Sequence, residues 1–255
     1  MSAIDLNSDL GEWDLDEASS DALVLGDAAM FDVITSANVA AGFHAGSPDS
    51  MAASATQAAA RGVSLGVHPS YRDRDGFGRR NQDVASTILI QQMLEQVESL
   101  SDAAQAAGTR VRYLKPHGAL YNRISVDDQQ ADAVARAAKE ANLPILGLAG
   151  TAIQRAAEAH GVQFYREAFV DRAYLPDGTL APRSLSGAVI VNRIAAGERA
   201  LRMAVDGHVI ALDGSLLRIE LDSLCVHGDT EGAFLMASSV RELLVSAGLE
   251  IRAFA

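Results

Sequence analysis

The sequence predicts an α/β fold, a single β/α barrel domain spanning residues 1–255. Three observations lead there. Short apolar runs alternate with longer helical patterns from end to end, which implies parallel strands joined by crossover helices. Seven such runs occur, more than a small open sheet needs. The length of 255 residues suits one such barrel and is enough to bury roughly three quarters of the unfolded surface.

Taken in order, the expected strands cover 4–8, 33–39, 63–67, 111–114, 144–148, 163–165 and 221–226. A helix opens at Pro48-Asp49, runs to Ala60 and stops at Gly62, a usual stop signal. Leu89, Met93, Val97 and Leu100 are spaced to share one helical face, and so are Met236, Val240, Leu243 and Ala247. Residues 209–219, centred on Asp213-Gly214, read as a β-hairpin turning on a type I′ pair. Low-complexity tracts, fixed-period repeats and Pro/Gly/Ser linkers are absent.

Composition narrows the function. With 21 basic and 33 acidic residues the formal charge is −12, which argues against a general nucleic-acid or anionic-membrane binder. Cys225 is the sole cysteine, so an intrachain disulfide is impossible and a cysteine-based zinc site is disfavoured. The start, Met1-Ser2-Ala3-Ile4-Asp5, has neither the basic nor the apolar region of a secretion signal. The longest apolar stretch, 143–153, is broken by Pro144 and two glycines and is too short to span a bilayer. The expectation is a soluble cytoplasmic protein.

The polar residues cluster just beyond strand ends. Asn7-Ser8-Asp9-Leu10-Gly11-Glu12 follows the first strand, Asn38 and Gly42-Phe43-His44-Ala45-Gly46 the second, and His68-Pro69-Ser70-Tyr71 the third. Lys115-Pro116-His117-Gly118 and then Tyr121 follow the fourth; Arg166-Glu167 and Asp171-Arg172 lie near the sixth; His227-Gly228-Asp229-Thr230 follow the last. In a β/α barrel these ends form one mouth, where catalytic groups collect. Singly, each residue has a bland explanation: a packed histidine, or an aspartate capping a helix. As a set they point to function, because burying so much polarity without purpose costs stability.

The segment 68–83, HPSYRDRDGFGRRNQD, is the longest without obvious secondary structure. Gly76-Phe77-Gly78-Arg79-Arg80 could cradle an anion between backbone amides and guanidinium groups, or be a solvated loop whose arginines are balanced by Asp73, Asp75 and Asp83. The patterns of a phosphate-binding P-loop, a dinucleotide-binding turn and a serine-hydrolase elbow are absent. His44, His68, His117 and Asp9 could surround a divalent ion, although no short-spaced ligand pair such as H-x-x-x-H occurs.

The ordered motifs NSDLGE, SANVAAGFHAG, GVHPSYRDRDGFGRR, LKPHGALYN, REAFVDRAYLPDGTLAPRS and CVHGDT resemble the LamB/YcsF family, from Asp5 to beyond Thr230. The family pattern usually carries cysteine in the first two motifs; Ser8 and Ala41 stand there in this chain, so those cysteines cannot be a required nucleophile in this member. The resemblance implies a distorted, seven-stranded, TIM-like barrel of the glycoside hydrolase/deacetylase type. It also implies the A component of an ATP-dependent 5-oxoprolinase, which hydrolyses 5-oxo-L-proline to L-glutamate together with partner subunits B and C. ATP is then the co-substrate and Mg2+ its expected companion. Under that reading the catalytic candidates are Asp9, Glu12, His44, His68, Lys115 and His117. The candidates for binding substrate or phosphate are Asn7, Asn38, Arg79, Tyr121, Glu167, Arg172, Arg183, His227 and Asp229. Within these, Lys115 and Arg79 suit phosphate charge, Arg172 or Arg183 the substrate carboxylate, Asp9 or Glu12 a base, and the histidines proton transfer. Two other readings use the same mouth: a metal-dependent deacetylase or amidohydrolase acting alone on a small N-acyl substrate, and a non-catalytic scaffold component.

Overall fold

The computed structural model describes residues 3–13, 26–228 and 232–255. Seven parallel strands close into a barrel: β1 (Ala3–Leu10), β2 (Ser36–Ala40), β3 (Ser64–His68), β4 (Val111–Leu114), β5 (Ile145–Leu148), β6 (Phe164–Phe169) and β9 (Ser223–Cys225). Each pairs with the next, and β9 pairs with both β6 and β1, which completes the ring.

The helices are α1 (Pro48–Arg61), α2 (Ser86–Ala106), α3 (Gly118–Val126), α4 (Asp128–Glu140), α5 (Ala152–His160), α6 (Arg193–Leu201) and α7 (Ala233–Ser246); residues 26–30 are also helical. Local chemistry sets their ends. The Ser47 hydroxyl accepts from the Ser50 amide, Pro48 occupies the first turn, and Gly62 ends α1 in the left-handed conformation. The Asp127 side chain accepts from the amides of Gln129 and Gln130 to start α4.

Strand alternation separates two environments. Ile4, Leu6 and Leu10 on β1 are buried in the hydrophobic shell between strands and helices. Asp5, Asn7 and Asp9, at the intervening positions, are equally buried but join a polar network inside the ring. The barrel is therefore lined with hydrogen-bonding groups. Asp5 Oδ1 accepts from Ser36 and Thr35, and Asp5 Oδ2 accepts from Ser223, whose hydroxyl oxygen also accepts from Asn7. Gly66 on β3 makes room for this filling, since a Cβ there would lie 2.2 Å from the Tyr113 ring. Tyr113 fills that space and donates its hydroxyl to Asn38 at 2.7 Å.

Several boundaries differ from the sequence expectation. The amides of Val33 and Ile34 bond back to the Met30 carbonyl, so strand pairing begins at Ser36 instead of residue 33. β1 and β6 run further than expected, which places Asp9, Arg166 and Glu167 within strands. The hairpin exists as β7 (His208–Ile210) and β8 (Leu216–Arg218), but its turn is not type I′. The Gly214 amide bonds to the Ala211 carbonyl, only Gly214 has positive φ, and Ala211 pairs with Ser215: a type I turn with a glycine bulge. On α7 the buried face is Met236, Ala237, Val240 and Leu244, whereas Ala247 is exposed just past the helix end. A short strand that the sequence pattern does not signal, β10 (Glu250–Ile251), pairs with the start of β1. Among the described residues no helix is long and apolar enough to cross a membrane.

Candidate active site

The carboxyl ends of the strands surround a cavity of about 480 Å³. Asp9, Glu12, His68, Arg79, Lys115, His117, Tyr121, Arg172, Arg183 and His227 line it. Asn7, Asn38, His44 and Glu167 lie behind this lining and touch it through hydrogen bonds or ion pairs. Asp229 lies outside the described residues.

One part of the mouth is ionic. Lys115, 1% exposed at the end of β4, places Nζ 2.7 Å from Asp9 Oδ1 and 3.0 Å from Glu167 Oε1. Its other neighbours are Cys225 Sγ at 3.3 Å and Asn7 Oδ1 at 3.4 Å. Burial opposes the lysine charge, but Asp9, Cys225 and Glu167 together hold its pKa well above the ordinary value. Burial likewise opposes the Asp9 carboxylate, yet His68 and Lys115 keep it well below the usual carboxylate range. Asn38 fixes Asp9 further by donating to Oδ1 at 2.8 Å. The Tyr121 hydroxyl faces the Glu167 carboxylate without the geometry of a full hydrogen bond. His227 donates from Nδ1 to Asp171 at 2.8 Å and turns Nε2 toward Asp9, 4.0 Å away. Burial disfavours its charge, but Asp171 and Asp9 raise its pKa.

The other part is built of imidazoles. His44 and His117 stack with ring centroids 3.7 Å apart, and His68 meets His117 edge-on at 4.8 Å. Glu12 Oε1 lies 3.2 Å from His44 Nε2 and 3.4 Å from His117 Nδ1. Burial, and then the proximity of His68, push the pKa of His44 well down; burial followed by His44 and His68 does the same for His117. Both shifts favour the uncharged ring.

The 68–83 segment covers these rings and does not form an amide cradle. Asp73 takes up its backbone donors: its carboxylate accepts from the amides of Gly76 and Arg80, and its backbone carbonyl accepts from Gly78. The Phe77 carbonyl accepts from His117 Nε2 at 2.9 Å, and the Phe77 ring packs edge-on against His44 and His117. Phe77 and Gly78 both have positive φ, and a Cβ on Gly78 would lie 2.8 Å from His117 Cδ2 and from His44 Cβ. Of the two arginines there, Arg79 lines the cavity and Arg80 pairs with Asp73 at 3.5 Å. Across the cavity Arg172 is buried, donates to the Ala181 carbonyl at 2.6 Å and keeps a buried Nε without a hydrogen-bond partner. Burial and the nearby charge of Arg183 lower its pKa. Three guanidinium groups thus face one space, an arrangement suited to an anion.

The LamB/YcsF family model matches residues 4–255. The chain belongs to the LamB/YcsF family. It is 49% identical over 261 aligned positions to the third 5-oxoprolinase A subunit of Pseudomonas syringae pv. tomato, covering 100% of this chain and 98% of the relative. It is 48% identical to the 5-oxoprolinase A subunit of Kocuria rhizophila, with both chains covered in full. The crystal structure of the lactam utilization protein from Thermus thermophilus superposes with a TM-score of 0.90 at 39% identity, covering 99% of this chain and 100% of that one. Ser8 and Ala41, where the family pattern usually has cysteine, are packing positions here: Ser8 donates to the Val226 carbonyl at 2.7 Å, and Ala41 is buried in the core.

Several residues that shape the site are not among the candidates the sequence marks for chemistry. Ser70, Tyr113 and Asp171 orient His44, Asn38 and His227, and Asp27 accepts from the Gly11 amide and the Trp13 indole beside Glu12. In the sequence Asp171 and Ser70 stand out only as members of strand-end runs.

Proposed function

We propose that this chain is the A component of an ATP-dependent 5-oxoprolinase and carries the lactam-opening chemistry together with subunits B and C. The observation that carries this reading is the end-to-end similarity to chains named as 5-oxoprolinase A subunits. The mouth supplies chemistry that the reaction needs. A lactam is a resonance-stabilised amide and a poor electrophile, so attack of its oxygen on the γ-phosphorus of ATP releases ADP and leaves an activated imidate phosphate. Water then adds to that carbon, the ring C–N bond breaks as the nitrogen takes a proton, and a γ-glutamyl phosphate forms. A second water gives L-glutamate and phosphate.

Each stage has a matching group in this chain. Lys115 and Arg79 offset phosphate charge, a task of positioning and electrostatics. Arg172 or Arg183 holds the substrate carboxylate, which suits a planar guanidinium. Asp9, a carboxylate held beside Lys115 and His68, orients the attacking water, and His227, bonded to Asp171 with Nε2 turned toward Asp9, is the proton donor to the departing nitrogen. Mg2+ is the expected companion of the nucleotide. Cytoplasmic location belongs to the same proposal.

The test is a coupled assay. This chain is mixed with subunits B and C, ATP and 5-oxo-L-proline; glutamate and phosphate are measured while each component is omitted in turn. Release of both products only in the complete mixture is expected. Turnover of an N-acyl substrate by this chain without ATP or partners would instead favour the metal-dependent deacetylase or amidohydrolase. Turnover that survives substitutions in the mouth would favour the scaffold.

A further inference from the structure

The histidine side of the mouth has a feature that proton transfer does not use. Every outward ring nitrogen is hydrogen-bonded to a protein oxygen. His68 Nδ1 lies 2.8 Å from the Lys115 carbonyl, and His117 Nε2 lies 2.9 Å from the Phe77 carbonyl. Carbonyl oxygens only accept, so both nitrogens carry their hydrogens. The Ser70 hydroxyl lies 2.8 Å from the Tyr71 carbonyl and 3.0 Å from His44 Nδ1; when its hydrogen goes to the carbonyl, its oxygen accepts from Nδ1. With those nitrogens turned outward, the second nitrogen of each ring faces inward: His44 Nε2, His68 Nε2 and His117 Nδ1.

These three nitrogens converge with a carboxylate. His68 Nε2 and His117 Nδ1 are 3.0 Å apart, and Glu12 Oε1 lies 3.2 Å from His44 Nε2 and 3.4 Å from His117 Nδ1. All four ligand atoms lie within 4.8 Å of one another. Ring nitrogens and a carboxylate oxygen this close need a positive centre among them, either a shared proton or a metal ion. The short separations match the edge of a tetrahedron around an ion held at 2.0–2.1 Å, about 3.3 Å. The outward hydrogen bonds fix each tautomer and ring orientation in the way metal-binding histidines are usually supported.

We propose that His44 Nε2, His68 Nε2, His117 Nδ1 and Glu12 bind one divalent transition-metal ion of the zinc or cobalt class. The donor set of three imidazoles and a carboxylate suits such ions and is a poor match for Mg2+, which prefers oxygen. Glu12, His68 and His117 also line the cavity, so the ion is placed to meet substrate or water there. The second acidic and sulfur cluster, Asp9, Cys225 and His227, is not a competing site, because the Lys115 ammonium already contacts Asp9 and Cys225. The proposal rests on ring orientation alone and stands whether or not the chain opens 5-oxo-L-proline.

The experiment uses the full chain stripped with a chelator and titrated with Co2+ and then Zn2+. Calorimetry, visible absorption and thermal unfolding are followed. One Co2+ per chain, tetrahedral d–d bands that Zn2+ abolishes, and a raised unfolding midpoint are expected. The double variant His44→Ala/His117→Ala is expected to lose the bands. Ser70→Ala keeps all four ligands and frees one ring, and is expected to weaken binding about 10- to 100-fold. His208→Ala, on the distant hairpin, is expected to bind as the parent does. Failure of the parent chain to bind one equivalent, or equal binding by the double variant, would overturn the proposal. Undiminished binding by Ser70→Ala would overturn the orientation argument even if the double variant does not fold.

Discussion

Two sides of one mouth handle burial in opposite ways. On the Lys115 side, Asp9 and the ammonium remain charged because they lie 2.7 Å apart, and Glu167 pairs with the same ammonium at 3.0 Å. On the histidine side, His44 and His117 give up their charge, and their N–H groups are tied to neutral oxygens. The difference teaches that proximity of titratable groups does not define one kind of chemistry. A paired, ionised cluster can move protons and hold phosphate, whereas a neutral cluster with inward lone pairs is a donor set.

The comparison can be broken by removing its keystone. Lys115→Ala leaves Asp9 and Glu167 buried without their cation, so a loss of about 3–5 kcal/mol of stability is expected, read by urea unfolding. The equivalent loss on the neutral side is smaller, because His117→Ala strands the Phe77 carbonyl and opens space but leaves no lone charge; about 1–3 kcal/mol is expected. Equal losses would erase the distinction between the two sides.

A pH series sharpens it. Burial raises Asp27 to about 7, although the Gly11 amide and Trp13 indole bonds pull the other way. Burial raises Asp5 to about 6 against the pull of Ser223 and Ser36. The folded state therefore binds these protons more tightly than the unfolded chain. Their contribution to stability is present at low pH, declines as pH rises from about 4 to about 7, and is flat above. Asp9 and Asp171 are lowered and act in the opposite sense, contributing above about 4 and failing as pH falls further. Asp27→Asn is expected to flatten the decline between pH 4 and 7 by up to about 4 kcal/mol, measured by urea midpoints across that range. An unchanged slope would show that Asp27 titrates normally.

The smallest expected effect is at the loop covering the imidazoles. Gly78→Ala forces a Cβ into a left-handed position 2.8 Å from His117 and His44, at a cost of about 1–2 kcal/mol. Global stability falls slightly, and the crystal structure of the variant is expected to show the Phe77 carbonyl withdrawn from His117 Nε2.

Much of this is legible in the sequence. Strand ends followed by Asp9, His44, His68, Lys115 and His117 point to one mouth, because a parallel barrel aligns its carboxyl ends. The inner face of β1 is harder to read. Asp5, Asn7 and Asp9 alternate with Ile4, Leu6 and Ser8, a pattern that ordinarily marks a solvent-facing edge, yet here both faces are buried. Orienting groups are illegible for another reason: Asp171 meets His227 across 56 positions, and Asn7 meets Ser223 across 216, so spacing carries no trace of either. The 68–83 segment misleads because Asp73, which reads as a balancing charge, uses both carboxylate oxygens to fold the loop inward.

Asp9 touches both sides, 2.7 Å from Lys115 and 3.3 Å from His68. Asp9→Asn keeps the side-chain size and removes the charge. With all three components, ATP and 5-oxo-L-proline present, glutamate release by this variant is expected to fall by at least about 100-fold, with folding retained by circular dichroism. Glutamate release within a few-fold of the parent chain would contradict the assignment of this mouth as the place where the lactam opens.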